Sequence, residues 1–130
     1  MVSQYLYIST APSLERGEID AILESSARYN PHHGVTGILL YNGRNFLQLL
    51  EAEESEIVTL MVKITQDSRH SGVSLLSRNQ AVERACPDWA MQRIYISESV
   101  SKRRALLEEQ IPEGLDSATH QIIVNFATLN

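Results

Sequence analysis

Two polar side chains lie inside otherwise apolar strand-like runs, and they are the residues best placed to do chemistry. Gln48 stands between Phe46 and Leu50 in the run 45–51, and Tyr7 lies within the run 2–9. A buried amide without a partner would cost roughly 1–3 kcal/mol, and a buried tyrosine hydroxyl also needs a partner. Since each group can both donate and accept, the two could bond to each other on neighbouring strands. Such a pair could be a structural tie or part of a site.

The other reactive residue types show no catalytic or metal-binding spacing. Cys86 has no nucleophile motif around it and no second cysteine to pair with, so we predict a structural thiol. A run of glutamates is interpreted as a solvated loop and helix start: Glu51, Glu53, Glu54 and Glu56. The histidines lack zinc-site spacing and are expected on the surface or in loops: His32, His33, His70 and His120. We therefore predict no metal site and no enzyme activity.

Length and composition favour one globular domain. The chain has 130 residues, 43% hydrophobic and 21% charged, which is ordinary usage for a folded protein. Sixteen acidic against 11 basic residues give a net charge of −5, the wrong sign for a protein that neutralises nucleic-acid phosphates. Because no signal peptide or run of about 20 apolar residues is apparent, we expect a cytoplasmic protein without a membrane partner.

Strand and helix signals alternate along the chain. Strand-like runs occur at 2–9, 35–41, 45–51, 73–76 and 89–96, and helical spacing covers 14–29 and a segment ending near 67–70. Breaks are predicted at 10–13, which includes Ser13, and at Pro87. The Asn42-Gly43 pair predicts a type I′ hairpin between the second and third strands.

This order predicts an α+β fold, a ferredoxin-like β-α-β-β-α-β sheet with an additional strand and two helices on one face. Leu47 and Leu49 point away from Phe46 and Leu50 in the third strand, and both sets are apolar. The second face of the sheet therefore needs a cover. Two C-terminal helix-like segments, 100–110 and 119–129, can supply it.

Five blocks of sequence resemble the BLUF family, the blue-light sensors that bind FAD without a covalent bond. They are LYIST (6–10), YNPHHGVTGILLY (29–41), NFLQLLE (45–51), ITQDSRH (64–70) and RACPDWAMQ (84–92). The resemblance implies a flavin-binding BLUF domain over 1–97 and a C-terminal helical cap of the same domain over 98–130. It makes FAD the expected cofactor, although the sequence itself does not distinguish FAD from FMN.

The resemblance also assigns roles to residues. It implies that Tyr7 and Gln48 are the photoactive pair, that Asn30 contacts the flavin edge, and that Ile22 and Ile64 sandwich the flavin ring. Further contacts to the flavin or its phosphate-bearing tail fall at the end of the second helix, on Lys63, Asp67, Arg69 and His70. Signal relay falls on Trp89 and Met91. For Lys63 and Asp67, a surface ion pair at i, i+4 spacing is an alternative.

Three positions depart from the family pattern. Ala52 stands where the family usually has Gly, and Cys86 stands where it usually has Phe. We expect these two differences to alter a turn and the core packing. Tyr29 replaces another polar residue before the flavin asparagine, and we expect it to affect flavin affinity or photocycle speed while leaving the tyrosine and glutamine intact.

The family's mechanism implies that light moves an electron, coupled to a proton, from Tyr7, and that the Gln48 amide then rearranges. The flavin's hydrogen bonds change and its absorption moves to longer wavelength. Because only 39 residues follow Met91, we expect no output domain in this chain. The signal should then pass through the fifth strand and the C-terminal helices to a partner protein in trans or within a homo-oligomer.

Two other functions use the same fold. A small enzyme of the acylphosphatase kind would need an arginine in a phosphate-binding loop after the first strand, and the loop 10–13 has none. A cofactor-free interaction module is also possible, since fold alone does not fix function. It would leave the purified protein colourless, whereas a flavin sensor would be yellow.

Overall fold

A computed structural model describes residues 1–12, 14–86 and 88–129, so the breaks predicted at Ser13 and Pro87 lie outside the described residues. The described residues form five strands: β1 (Val2–Thr10), β2 (Thr36–Tyr41), β3 (Asn45–Ala52), β4 (Ser71–Ala81) and β5 (Gln92–Ile94). They also form four α-helices: α1 (Arg16–Tyr29), α2 (Glu54–Thr65), α3 (Arg103–Gln110) and α4 (Ser117–Leu129). No helix in this part of the chain is long and apolar enough to span a bilayer.

The strands form one sheet in the order β4-β1-β3-β2-β5. The first four are antiparallel to their neighbours, and β5 is added parallel to β2 at one edge. This confirms the predicted ferredoxin-like α+β sheet with an additional strand. The register sets Tyr7 directly opposite Gln48 across β1 and β3.

Each face of the sheet is covered by its own pair of helices. On one face, Leu50 packs with Ile57 of α2, and Phe46 packs with Ile22 of α1. On the other face, Leu47 and Leu49 join a core with residues of α3 and α4, including Leu107, Ile123 and Phe126. The opposite directions predicted for alternate β3 side chains, and the C-terminal cover, are therefore confirmed.

The hairpin between β2 and β3 forms as predicted, but its turn is centred one residue later. Asn42 N–H donates to the Asn45 carbonyl at 3.2 Å, so Gly43 and Arg44 are the central residues. Gly43 has a φ of 91°, a backbone conformation that favours glycine. The Asn42 side chain accepts from Arg44 N–H at 3.0 Å and Asn45 N–H at 2.7 Å, which closes the turn.

The fifth strand is shorter than predicted. Only Gln92–Ile94 pairs with β2, so the predicted strand 89–96 was too long, and Trp89 and Met91 precede the strand. Individual bonds fix this stretch instead: Gly37 N–H donates to the Trp89 carbonyl at 3.0 Å, and the Asn30 amide donates to the Ala90 carbonyl. Apolar alternation alone does not separate such a segment from a strand.

Two further predictions need correction. Helix α2 ends at Thr65 rather than near 67–70, because the Asp67 side chain accepts from Arg69 N–H at 3.0 Å and forms a turn in place of another helical turn. Glu51 is fully buried, whereas the glutamate run was interpreted as solvated. It shares the inward strand face of Leu47 and Leu49, and its carboxylate is enclosed by hydrogen-bond donors.

Candidate flavin site

A cavity of about 220 Å³ lies between the sheet and helices α1 and α2. It is lined by all nine residues predicted to contact a cofactor: Tyr7, Ile22, Asn30, Gln48, Lys63, Ile64, Asp67, Arg69 and His70. Ser25, Ser26, Phe46 and Leu60 also line it and were not predicted. Helical spacing could have found three of them, since Ser25 and Ser26 follow Ile22 by three and four residues and Leu60 precedes Ile64 by four.

The core of the site is a chain of three side chains joined by hydrogen bonds. The Tyr7 hydroxyl donates to Gln48 Oε1, and Gln48 Nε2 donates to Met91 Sδ at 3.2 Å. Tyr7 is only 3% exposed and Gln48 only 6%. Burial, and secondly the negative charge of Asp67, raise the pKa of Tyr7 above its usual range. The phenol therefore keeps its proton and remains the donor to Gln48.

Asn30 is placed by the end of α1. The chain continues from α1 into a 3₁₀ helix, Asn30–His33, because Pro31 cannot prolong the α-helical hydrogen bonds. Asn30 is 2% exposed, and its Nδ2 donates to the Ala90 carbonyl. Its amide therefore faces both the cavity and the stretch before β5. Asn30 is the second side chain, besides Gln48, that links the cavity wall to that stretch.

Apolar side chains from both helices form the walls of the cavity. Ile22 projects from α1 and Ile64 from α2, and Leu60 and Phe46 extend the apolar surface. Such walls suit a flat aromatic ring, because they bury its faces and leave its polar edge to the amides of Asn30 and Gln48.

The end of α2 and the loop after it carry the charged residues of the site. Arg69 Nε donates to Asp67 Oδ1 at 2.9 Å, and Arg69 Nη2 donates to Asp67 Oδ2 at 2.6 Å. These bonds lower the pKa of Asp67. Asp67 thus pairs with Arg69 rather than with Lys63, whose Nζ lies 4.6 Å from the centroid of the Tyr29 ring. The alternative of a Lys63–Asp67 ion pair is wrong.

His70 ties this loop to β1. Its Nε2 lies 2.7 Å from the Ile64 carbonyl oxygen and its Nδ1 lies 2.7 Å from Ser9 Oγ. Because a carbonyl only accepts, Nε2 must carry a proton, and in the neutral ring Nδ1 accepts from the Ser9 hydroxyl. His70 therefore lies in the loop between α2 and β4, in line with the predicted surface or loop position, and closes one end of the cavity beside Tyr7 and Phe46.

The three departures from the family pattern have distinct surroundings. Tyr29 stacks on His33 with ring centroids 4.0 Å apart, and its buried hydroxyl has no hydrogen-bond partner among the described residues. Ala52 ends β3 and is fully buried. Cys86 is also fully buried, and burial, reinforced by the Glu51 carboxylate, raises the pKa of its thiol. The thiol is buried, as predicted.

Met91 and Trp89 lie on opposite faces of the sheet. Met91 is the residue beside Gln48. Trp89 packs against the core formed with the C-terminal helices and borders a groove with Ile94, Gln110 and Ile111. The sequence alone did not distinguish which of the two would lie next to Gln48.

Comparisons with known proteins agree with this geometry. The family model described as sensors of blue-light using FAD matches residues 2–92, more than half of the chain. The chain belongs to the BLUF family. BLUF domains are flavin-binding sensors of blue light.

Among curated relatives, the photoactivated adenylate cyclase subunit beta of Euglena longa is 35% identical over 88 residues, which is 67% of this chain and 10% of that protein. This BLUF chain therefore spans about one tenth of that relative's length. The dark-state structure of the BLUF protein BlrB is 28% identical with a TM-score of 0.75, covering 96% of each chain.

BlrP1 of Klebsiella pneumoniae, solved with FMN and cyclic diGMP, is 24% identical with a TM-score of 0.84 and covers 98% of this chain and 34% of that one. This last likeness supports the fold alone.

Proposed function

We propose that this BLUF protein is a blue-light receptor that binds FAD non-covalently in the cavity between the sheet and α1 and α2. In this proposal Tyr7 and Gln48 are the photoactive pair, and the signal leaves through Met91 and Trp89. The observation that carries the proposal is the hydrogen-bonded chain from Tyr7 through Gln48 to Met91. It joins a buried electron donor to a rearrangeable amide and then to the stretch before β5.

The residues present fit a flavin. Ile22 and Ile64 supply apolar walls, and Asn30 and Gln48 supply amides for the polar edge of the ring. Lys63 and Arg69 place positive charge near the loop after α2, which suits a phosphate-bearing tail. The family description names FAD, and we propose FAD rather than FMN for this chain.

When bound, a flavin would supply the absorption of blue light and the acceptor for an electron from Tyr7. Tyr7 releases its hydroxyl proton along its hydrogen bond to Gln48. The Gln48 amide rearranges by rotation, tautomerisation or both. The electron and the proton then return to Tyr7, so the phenol is restored and only the hydrogen-bond pattern has changed.

Rotation of the Gln48 amide has a direct consequence for Met91. In the described arrangement the Gln48 N–H donates to the Met91 sulfur. After rotation, the amide oxygen would face this sulfur, and two acceptors cannot form a hydrogen bond with each other. Rotation of the amide would therefore release Met91. This gives the coupling a physical cause, since a bistable contact is needed to carry a small local change outwards.

Trp89 is two residues from Met91 and packs on the face covered by α3 and α4. A shift of Met91 would move the backbone that connects it to Trp89 on the other face of the sheet. We propose that 98–130 acts as a helical cap of the same domain and as the contact surface for a partner protein in trans or for a second copy of the chain. No catalytic role is proposed for the chain itself.

The test is the visible spectrum of the purified protein before and after blue light. Bound flavin should show a small shift to longer wavelength that reverses in the dark, and Tyr7→Phe and Gln48→Leu should each abolish it. Tyr41→Phe is a matched control, because Tyr41 is also a hydrogen-bonded tyrosine, and its hydroxyl contacts Ala11 and Leu14 rather than Gln48. Chromatography of the released cofactor distinguishes FAD from FMN. A colourless protein that takes up neither flavin would contradict the proposal.

A further inference from the structure

Glu51 is a fully buried carboxylate in the third strand, on the face opposite Gln48. Its Oε2 accepts from Gln4 Nε2 at 2.9 Å and from Ala85 N–H at 2.7 Å. Its Oε1 accepts from the Thr36 hydroxyl at 3.1 Å and from Cys86 N–H at 2.8 Å. Each carboxylate oxygen of Glu51 thus accepts one backbone N–H, Oε2 from Ala85 and Oε1 from Cys86.

These contacts continue a polar row across the sheet. Gln4 of β1 and Thr36 of β2 are the residues directly opposite Glu51 in the two strand pairings. Arg84 completes the row, since its Nη1 donates to Thr36 Oγ1 at 2.9 Å and to the Glu51 backbone carbonyl at 3.1 Å. A buried carboxylate is costly to desolvate unless it is fully hydrogen-bonded. Leu47 and Leu49 fill neighbouring positions on this face without that cost.

The segment 84–91, described at residues 84–86 and 88–91, is consequently bound near both ends by side chains of the same strand. At its start, Glu51 of β3 binds the backbone at Ala85 and Cys86. At its end, Gln48 of β3 binds Met91. The two β3 residues are three positions apart, about 10 Å along a strand, and point to opposite faces. In the proposed photocycle the Gln48 contact changes, whereas the Glu51 contacts have no reason to change.

We infer that Glu51 is a positioning residue for the light response: it fixes the start of the segment 84–91 so that rearrangement of Gln48 moves only the Met91 end. This inference rests on the proposed function for its photochemical part. Without the Glu51 bonds, the start of the segment can shift, because among the described residues only the bonds of Arg84 and those of Trp89 and Ala90 to Gly37 and Asn30 would remain beside the Met91 contact. The Met91–Gln48 contact in the dark is then less well defined. The dark recovery of the lit state must then depend on Glu51, although Glu51 lines no part of the flavin cavity.

Glu51→Gln tests this with little change in shape. A glutamine must place its NH₂ group where one carboxylate oxygen lies, and each oxygen faces a backbone N–H, that of Ala85 or that of Cys86. In either orientation the new side-chain NH₂ group therefore faces a backbone N–H, and two donors cannot form a hydrogen bond with each other. Thr36→Val is the second variant, because it removes one donor to Glu51 and the acceptor of Arg84 but retains the carboxylate. Ile123→Ala is the control, since it opens the same core without touching the row.

Cys86 offers a readout that needs no light. It is the single cysteine of the chain and its thiol is fully buried, so iodoacetamide reacts only when the segment opens. In the dark, flavin-bound protein, Glu51→Gln should raise the labelling rate about tenfold, as expected when a buried hydrogen-bonded group loses a partner. It should change the dark recovery rate by about threefold or more, within the range of couplings through packed networks. Thr36→Val should act in the same direction.

The changes in labelling rate and in dark recovery rate are compared with those of Ile123→Ala, each expressed per unit of lost unfolding free energy. Labelling and recovery that both exceed the control's changes support the inference. Rates equal to the control's in both Glu51→Gln and Thr36→Val overturn it, because Glu51 would then only stabilise the fold. If the wild-type protein shows no light-induced spectral change, the proposed function and the photochemical coupling fail together, and Cys86 labelling still decides whether Glu51 holds the segment.

Discussion

The hydrogen bond between Tyr7 and Gln48 predicts a strong energetic coupling between the two side chains. Tyr7→Phe removes the hydroxyl and leaves buried Gln48 Oε1 without its donor, and Gln48→Leu leaves the buried Tyr7 hydroxyl without its acceptor. Each single variant creates one unsatisfied buried group, which costs about 1–3 kcal/mol. The double variant leaves neither. It should therefore cost about as much as one single variant, which corresponds to a coupling energy of about 1–3 kcal/mol.

This magnitude is measurable in a chain of this size. An unfolding entropy of about 2.1 cal/mol/K per residue over 130 residues corresponds to about 0.27 kcal/mol/K, so 1 kcal/mol shifts Tm by about 4 °C. Each single variant should lower Tm by about 4–11 °C. The assay is thermal unfolding for Tm, and urea unfolding for the free energies, of the flavin-free wild type, both singles and the double, so that cofactor affinity does not enter. Additive losses would refute the coupling.

Three further predictions concern pH and the relay. Because burial raises the pKa of Tyr7, the folded state binds this proton more tightly than the unfolded state, and the unfolding free energy should fall as the pH rises above about 10, less so in Tyr7→Phe. Arg69 lowers the pKa of Asp67, so ionised Asp67 should stabilise the fold above about pH 4, and this contribution should vanish as the pH falls further. The difference in urea midpoint between the wild type and Asp67→Asn should shrink accordingly. Met91→Leu removes the acceptor of Gln48 N–H; it should cost less than about 1.5 kcal/mol yet change the dark recovery rate.

Matched variants make these tests specific. Tyr41→Phe should retain the alkaline loss that Tyr7→Phe reduces. Met61→Leu changes a methionine of α2 that packs in the core of the same face, and its recovery should equal that of the wild type. An unchanged recovery in Met91→Leu would contradict the relay, and equal alkaline curves for both tyrosine variants would contradict the assignment to Tyr7.

The sequence was sufficient to place the residues that interrupt a clear pattern. Tyr7 and Gln48 stand out because polar groups at inward positions of apolar strands require partners, although the hairpin between β2 and β3 does not by itself make β1 and β3 neighbours. The structure sets the two opposite each other. The helical spacing of Ile22 and Ile64 likewise put them on inward faces, and both line the cavity.

Residues whose surroundings come from distant segments were not predictable in this way. Glu51 looked like the start of an acidic surface run, and its burial depends on donors from Gln4, Thr36 and the segment 84–91. Strand β4 extends to Ala81, well beyond the predicted 73–76, because β1 supplies its hydrogen bonds although its side chains are mostly exposed. Edge strands of this kind lack the apolar alternation that a sequence pattern detects.

The most direct test of the central claim is the light-minus-dark infrared difference spectrum of the flavin-bound protein, compared with that of Gln48→Leu. If Gln48 rearranges beside the flavin, a flavin carbonyl band should move to lower frequency in the light, as expected for a carbonyl that gains a hydrogen bond, and this band should be absent in the variant. A visible light response with no carbonyl shift, or the same shift in Gln48→Leu, would contradict the account.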